Sequence, residues 1–289
     1  MGLILIILTG LAWGGIGVVL GMAARRRFDV LPFITIATVV SCIVVGVFFV
    51  RWPVLMAGPV DRLLPLTLVL AGAGVAGVSG MMAMQKAMTA GAAAWTVGQS
   101  AMVIPYLAGI LFLGDPLRPG GVLGVLLIML SLASFFKDSQ RSRVGGMGWF
   151  RFALLAFVLL GVQQTLSSLP SSWDGWSDAA NLRPPLVLLA GAIPLTLLVI
   201  LRARPIDRRM VGLALGYAVF IISGQVLLFR AMDCLRAEGR LSLAFPVALG
   251  TCIIFVSLWD IIVLRSGFSR LTLLGIVLGA AGVIMMALA

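Results

Sequence analysis

The chain has no histidine, only 2 tyrosines and 3 cysteines, and just 10 acidic side chains in 289 residues. Without histidine it lacks the commonest metal ligand, the usual general base and a frequent proton-relay group. Cys42, Cys234 and Cys252 are scattered without metal-ligand spacing and read as small packing residues. An intramembrane enzyme would need a nucleophile with its base, a metal cluster or a carboxylate pair, and no apolar run holds one. No phosphate-binding loop supports ATP-driven transport. No catalytic residue, metal or cofactor is therefore expected. Charged residues make up only 11% of the chain, against roughly a quarter in a soluble domain. Strand-length segments with period-2 alternation are also missing, which argues against a membrane β-barrel.

What is present is apolar, at 61% of residues, in runs of about 17–24 residues, the length that crosses a hydrocarbon layer of about 30 Å. Ten spans are expected, near 3–23, 30–50, 65–86, 91–113, 119–136, 151–168, 185–202, 210–230, 241–263 and 270–288. The apolar N-terminus has no preceding basic region and reads as a retained first helix. The net charge of +11 suits loops facing anionic lipid rather than nucleic acid. Of the 21 basic residues, 14 fall in the odd-numbered connections, beginning with Arg25, Arg26 and Arg27. Those connections should be cytoplasmic, with both termini outside a bacterial inner membrane.

The two halves resemble each other. Ser79-Gly80, five residues, then Lys86-Ala87-Met88 recurs as Ser223-Gly224, five residues, then Arg230-Ala231-Met232. The segment from Leu117 to Gly124 likewise matches Phe268 to Gly275. The expectation is one membrane domain of two five-helix repeats, 1–140 and 141–289. An odd number of helices per repeat makes the second copy enter the membrane in the opposite sense, which yields inverted repeats.

Ten helices as five plus five resembles the drug/metabolite transporter superfamily. Leu11-Ala12-Trp13-Gly14 is similar to that family's opening helix. Gly114-Asp115-Pro116-Leu117 is similar to its Gly-Glu-x-Leu after the fourth helix, with Asp for Glu. In the second half Arg265-Ser266-Gly267-Phe268 departs from it. Arg25-Arg26-Arg27-Phe28 and Ser257-Leu258-Trp259 resemble the rhamnose- and glucose-uptake-like branch. The resemblance implies alternating access by an all-α membrane transporter.

Polar residues inside spans mark helix contacts or a solute pathway. Trp95, Gln99 and Tyr106 are spaced to share one face of the fourth span, and an aromatic ring with an amide and a phenol suits a sugar or another polar metabolite. Trp13, Gln163, Gln164, Ser168, Tyr217 and Gln225 complete the candidate substrate-binding set, each weighed against a packing role. Asp260 is the one acidic residue inside a span. It is either a coupling-ion group or an interfacial charge paired with Arg265. Gly10, Gly14, Gly17 and Gly21, with Gly275, Gly279 and Gly282, read as ridges for close helix packing. The expected function is secondary transport of a small polar organic solute, sugar-like by preference. An amino-acid or metabolite exporter of the same superfamily, or a channel or structural subunit, is the alternative. The expected partners are a small-molecule substrate and the lipid bilayer.

Overall fold

The computed structural model describes residues 1–49, 60–112, 118–141, 146–173, 182–237, 244–265, 267 and 269–288, and all regular structure among them is helical. The helices are α1 (Gly2–Arg25), α2 (Val30–Phe48), α3 (Val60–Ala87), α4 (Ala92–Phe112), α5 (Pro119–Arg141), α6 (Gly146–Ser168), α7 (Arg183–Leu201), α8 (Arg208–Ala237), α9 (Ala244–Ile262) and α10 (Arg270–Ala287). Within the described residues, α1 to α8 are long and apolar enough to cross a membrane. The corresponding apolar stretches of α9 and α10, Val247–Ile262 and Arg270–Met286, are shorter. The expectation of ten spans is thus met at eight. Gly114-Asp115-Pro116-Leu117, Ser266 and Phe268 lie outside the described residues.

Burial is inverted relative to a soluble protein. Phe48, Leu64, Leu68, Phe112, Ile193, Leu201 and Ile262 are exposed, whereas Thr35, Ser41, Thr96, Gln99, Ser100 and Ser131 are buried. Water would penalise such a surface and hydrocarbon would not, so the fold is that of an all-α, multi-pass membrane protein. Several buried hydroxyls are satisfied within their own helices: Thr35 donates to the Leu31 carbonyl at 2.7 Å, and Thr96 and Ser257 to the carbonyls of Ala92 and Ile253 at 2.8 Å. Such local bonds meet the demand that no polar group face lipid unpaired.

Glycine sets which helices meet. A methyl group at Gly10 would strike Ala248 and Thr251, at Gly14 Phe255, and at Gly17 Trp95 and Val256. The ridge expected on α1 is therefore a packing surface, mainly for α9. Gly275 and Gly282 do the same for α10 against Phe135 and Gly124 of α5, where Ser131 Oγ also donates to the Gly275 carbonyl at 2.6 Å. The major packing pairs are α1 with α8 and α9, α6 with α3 and α4, α2 with α7 and α8, α3 with α7, and α5 with α10.

One end of the bundle is knitted by polar links. α1 and α7 end with a residue in the left-handed region, Arg27 (φ 54°) and Ala203 (φ 46°). The next amides close back onto the helix, Phe28 on Ala23 at 3.1 Å and Arg204 on Val199 at 3.2 Å. This geometry delivers Arg204 to Asp29, the N-cap of α2, at 3.3 Å. At the same end Gln85 Nε2 donates to the Phe28 carbonyl at 3.3 Å, and Asp138 accepts from Ser269 and Thr272, each at 2.6 Å. Asp260 closes the set. Its Oδ2 accepts the Ala92 backbone N–H at 2.7 Å and its Oδ1 lies 4.0 Å from Arg25. Its partners are thus α1 and the start of α4, not the expected Arg265.

Candidate functional site

A cavity of about 160 Å³ lies between the helices. A protein cavity of about 150 Å³ accommodates a benzene-sized molecule, so this one has room for a small organic solute. Seven of the nine candidate residues line it: Trp13, Trp95, Gln99, Gln163, Gln164, Tyr217 and Gln225. They come from α1, α4, α6 and α8, and their convergence is a property of helix packing. Arg183, Phe245 and Ser167 extend the lining towards the end that carries the chain termini. The cavity is thus biased away from the polar links of the opposite end.

The aromatic side chains are held in place by specific contacts. Trp95 is buried and donates its indole N–H to Cys252 Sγ at 2.9 Å, so it offers the cavity a ring and no donor. Gly17 leaves the space its ring needs. Trp13 stacks on Phe245 with centroids 6.5 Å apart and an interplanar angle of 27°, and Gly224 clears room beside it. Tyr217 is buried with its ring tilted 60° against Phe33 at 5.5 Å. Apolar walls made this way stack well on the carbon faces of a polar metabolite.

The amides supply the polarity. Gln99 is 5% exposed and Gln164 9%. The Gln164 Oε1 is buried with no hydrogen-bond partner, and it belongs to a residue that faces the cavity. A buried acceptor left in this state costs about 1–3 kcal/mol. A bound solute with a donor would remove that cost.

Tyr106 and Ser168 are not brought to the cavity. α4 is interrupted by a 3-10 turn, Ser100–Met102, between the α-helical pieces Ala92–Gln99 and Val103–Phe112. Pro105 has no N–H to give the Ala101 carbonyl, which favours the break at that point. Three residues of 3-10 geometry advance the face by about 60° beyond an α-helix. Tyr106 therefore leaves the face of Gln99, and its hydroxyl, buried without a partner, packs at Gly121 of α5. Ser168 donates to the Thr165 carbonyl at 2.9 Å, while the neighbouring Ser167 faces the cavity. Asp260 is not among the lining residues; it stands at the polar-linked end, bonded to Ala92 one helical turn from Trp95.

Three polar lining residues were missed by sequence reasoning: Thr38, Ser167 and Arg183. Arg183 is the first residue of α7, where a basic side chain looks like an interfacial charge, yet it is only 8% exposed. Leu182 and Trp173 seat the start of α7 by packing on Leu66 and Leu70 of α3. Met81, which also lines the cavity, did carry a signal: it follows Ser79-Gly80 as Gln225 follows Ser223-Gly224.

The chain matches no protein-family model and no curated protein. It is similar to a solved crystal structure described only as that of a protein, at 16% identity and a TM-score of 0.56, over 99% of this chain and 98% of the other. At that identity the likeness is one of fold alone.

Proposed function

We propose that this chain is a secondary transporter that moves a small polar organic solute across the membrane by alternating access. The observation that carries the reading is the convergence of Trp13, Trp95, Gln99, Gln163, Gln164, Tyr217 and Gln225, from four helices in both halves of the chain, on one solute-sized cavity. On this reading α9 and α10, with 19 and 18 residues and a rise of about 27–29 Å, complete ten spans.

The packing pairs support two inverted five-helix repeats. If helix n is exchanged with helix n+5, the pair α1–α8 becomes α6–α3, α1–α9 becomes α6–α4, and α2–α8 becomes α7–α3. All six are major packing pairs of the fold. The pairs α2–α7 and α5–α10 map onto themselves. The repeat partners Gly80 and Gly224 also play matching parts, Gly80 against Leu160 of α6 and Gly224 against Trp13 of α1. Such pseudo-symmetry is the basis of alternating access in many secondary transporters. It fits membership of the drug/metabolite transporter superfamily, with the polar-linked end cytoplasmic and closed and the cavity biased outward.

The test is uptake by the purified chain in proteoliposomes, with a panel of labelled sugars, amino acids and related metabolites. Saturable flux of at least one solute, lost on Gln99→Leu, is expected. Flux that never saturates marks a channel, and no flux of any solute overturns the reading.

A further inference from the structure

We propose that the solute of this cavity is a neutral, planar ring compound with an amide edge, an N–H set beside a C=O, as in a free pyrimidine base or an aromatic carboxamide. The inference rests on the transport reading and names its substrate class.

The Gln164 Oε1 is buried without a hydrogen-bond partner, on a residue that lines the cavity. Gln99, Gln163 and Gln225 line the same cavity, and their side-chain amides bond to none of the described residues. A carboxamide holds a donor and an acceptor side by side in one plane. Its full complement is another group of that kind, which closes two parallel hydrogen bonds, as when a glutamine side chain reads the edge of adenine. A solute with a donor alone would fill the Gln164 acceptor and leave the N–H groups beside it idle. The four amides come from α4, α6 and α8, so both halves of the chain present the same chemistry.

The remaining lining decides the shape. Trp13, Trp95 and Phe245 bring aromatic surface to the cavity. Trp95 has spent its N–H on Cys252, and Trp13 is held by stacking on Phe245. Surfaces of this kind hold a planar ring by stacking. Ile16, Ile34, Leu70, Leu160 and Leu249 supply aliphatic wall. A sugar carries hydroxyls around its whole rim, and those facing aliphatic side chains would lose their hydrogen bonds to water without replacement. A planar heterocycle keeps its polarity at the edge and its faces apolar. The volume of about 160 Å³ has room for a ring of benzene size. None of the lining residues is acidic, and Arg183 is already engaged in another interaction. Recognition therefore falls to the amides, and the solute needs no charge.

The experiment uses the full chain in proteoliposomes, with uptake by protein-free vesicles subtracted, and labelled uracil, nicotinamide and D-glucose. Saturable uptake is expected for uracil or nicotinamide, in preference to D-glucose. N-methylation removes the donor that Gln164 calls for. The forms 1,3-dimethyluracil and N,N-dimethylnicotinamide should therefore compete more weakly than their parents, by about tenfold or more. Gln164→Leu should fold at least as well as the wild type, because the free protein leaves that acceptor unpaired. It should raise KM for the transported ring compound about 5- to 150-fold, the worth of a buried hydrogen-bond partner, and narrow the gap between parent and N-methylated form. Where Gln164→Leu does not fold, the wild-type preference for the parent compounds carries the test. Preference for D-glucose over both ring compounds, equal competition by parents and N-methylated forms, or unchanged discrimination in Gln164→Leu overturns the amide-edge assignment and leaves transport standing. Absence of saturable flux for uracil and nicotinamide, with flux of some other solute, does the same. Absence of flux for every solute overturns both.

Discussion

Asp260 Oδ2 accepts the backbone N–H of Ala92 at 2.7 Å, across 168 residues of sequence. The carboxylate of α9 thereby caps α4, the helix that carries Trp95 and Gln99 into the cavity. Gly91 makes the approach possible: it has φ 58°, in the left-handed region, and a side chain there would collide with the same carboxylate.

Removing this cap has a defined cost. Asp260→Ala should lower stability by about 1.5–3 kcal/mol, the range for a buried hydrogen bond to a charged group, whereas Asp260→Asn keeps an acceptor and should lose less. Thermal unfolding of the purified variants in detergent reads the difference. Saturable uptake is expected to survive in Asp260→Asn. Its abolition in a folded protein would instead make Asp260 a coupling-ion group.

The glycine contacts predict paired effects in the two halves. Gly80→Val and Gly224→Val each push a side chain into the opposing helix and should cost about 1–3 kcal/mol. Gly216, in the same helix as Gly224, meets nothing within 4 Å. Gly216→Ala should raise stability by about 0.5–1 kcal/mol through helix propensity. Similar melting temperatures for all three would show that these crossings are not close-packed.

Accessibility separates cavity residues from packing residues. In a background without cysteine, Gln225→Cys and Gln163→Cys should react with a water-soluble thiol reagent added from the side of the chain termini, and a transported solute should slow the reaction. Tyr106→Cys, against Gly121, should resist it. Rapid labelling of Tyr106→Cys with no labelling of the two glutamine positions would refute the cavity as drawn.

The polar-linked end should respond to charge. The Arg204–Asp29 pair is 49% and 33% exposed, so its loss should change stability by no more than about 0.5–1 kcal/mol. Asp29→Lys places like charges together and should speed labelling of cavity cysteines from that end. Adding Arg204→Asp should restore the slow rate, and indifference of the labelling rate to both changes would exclude a role in closure.

Much of the candidate site was legible in the sequence. In a membrane helix an amide or an indole needs a reason to be there, and Gln99, Gln163, Gln164 and Gln225 could be picked out on that ground alone. Tyr106 was misread because a spacing of seven residues assumes an unbroken α-helix, and the 3-10 turn at Ser100–Met102 cannot be seen in hydropathy. Arg183 was missed for a different reason. A basic residue at the start of a span is ordinarily at the water interface, and only its neighbours reveal that it is covered.

Composition and apolar run length by themselves determined an all-α chain of the multi-pass membrane type, because hydrocarbon demands long helices that satisfy their own backbone. The internal match around Ser79-Gly80 and Ser223-Gly224 further pointed to two related halves. Tertiary structure alone decided which polar faces share a cavity, that Arg183 joins them, and that Asp260 serves the start of α4. Those outcomes depend on how helices rotate and cross, and local sequence carries almost no record of either.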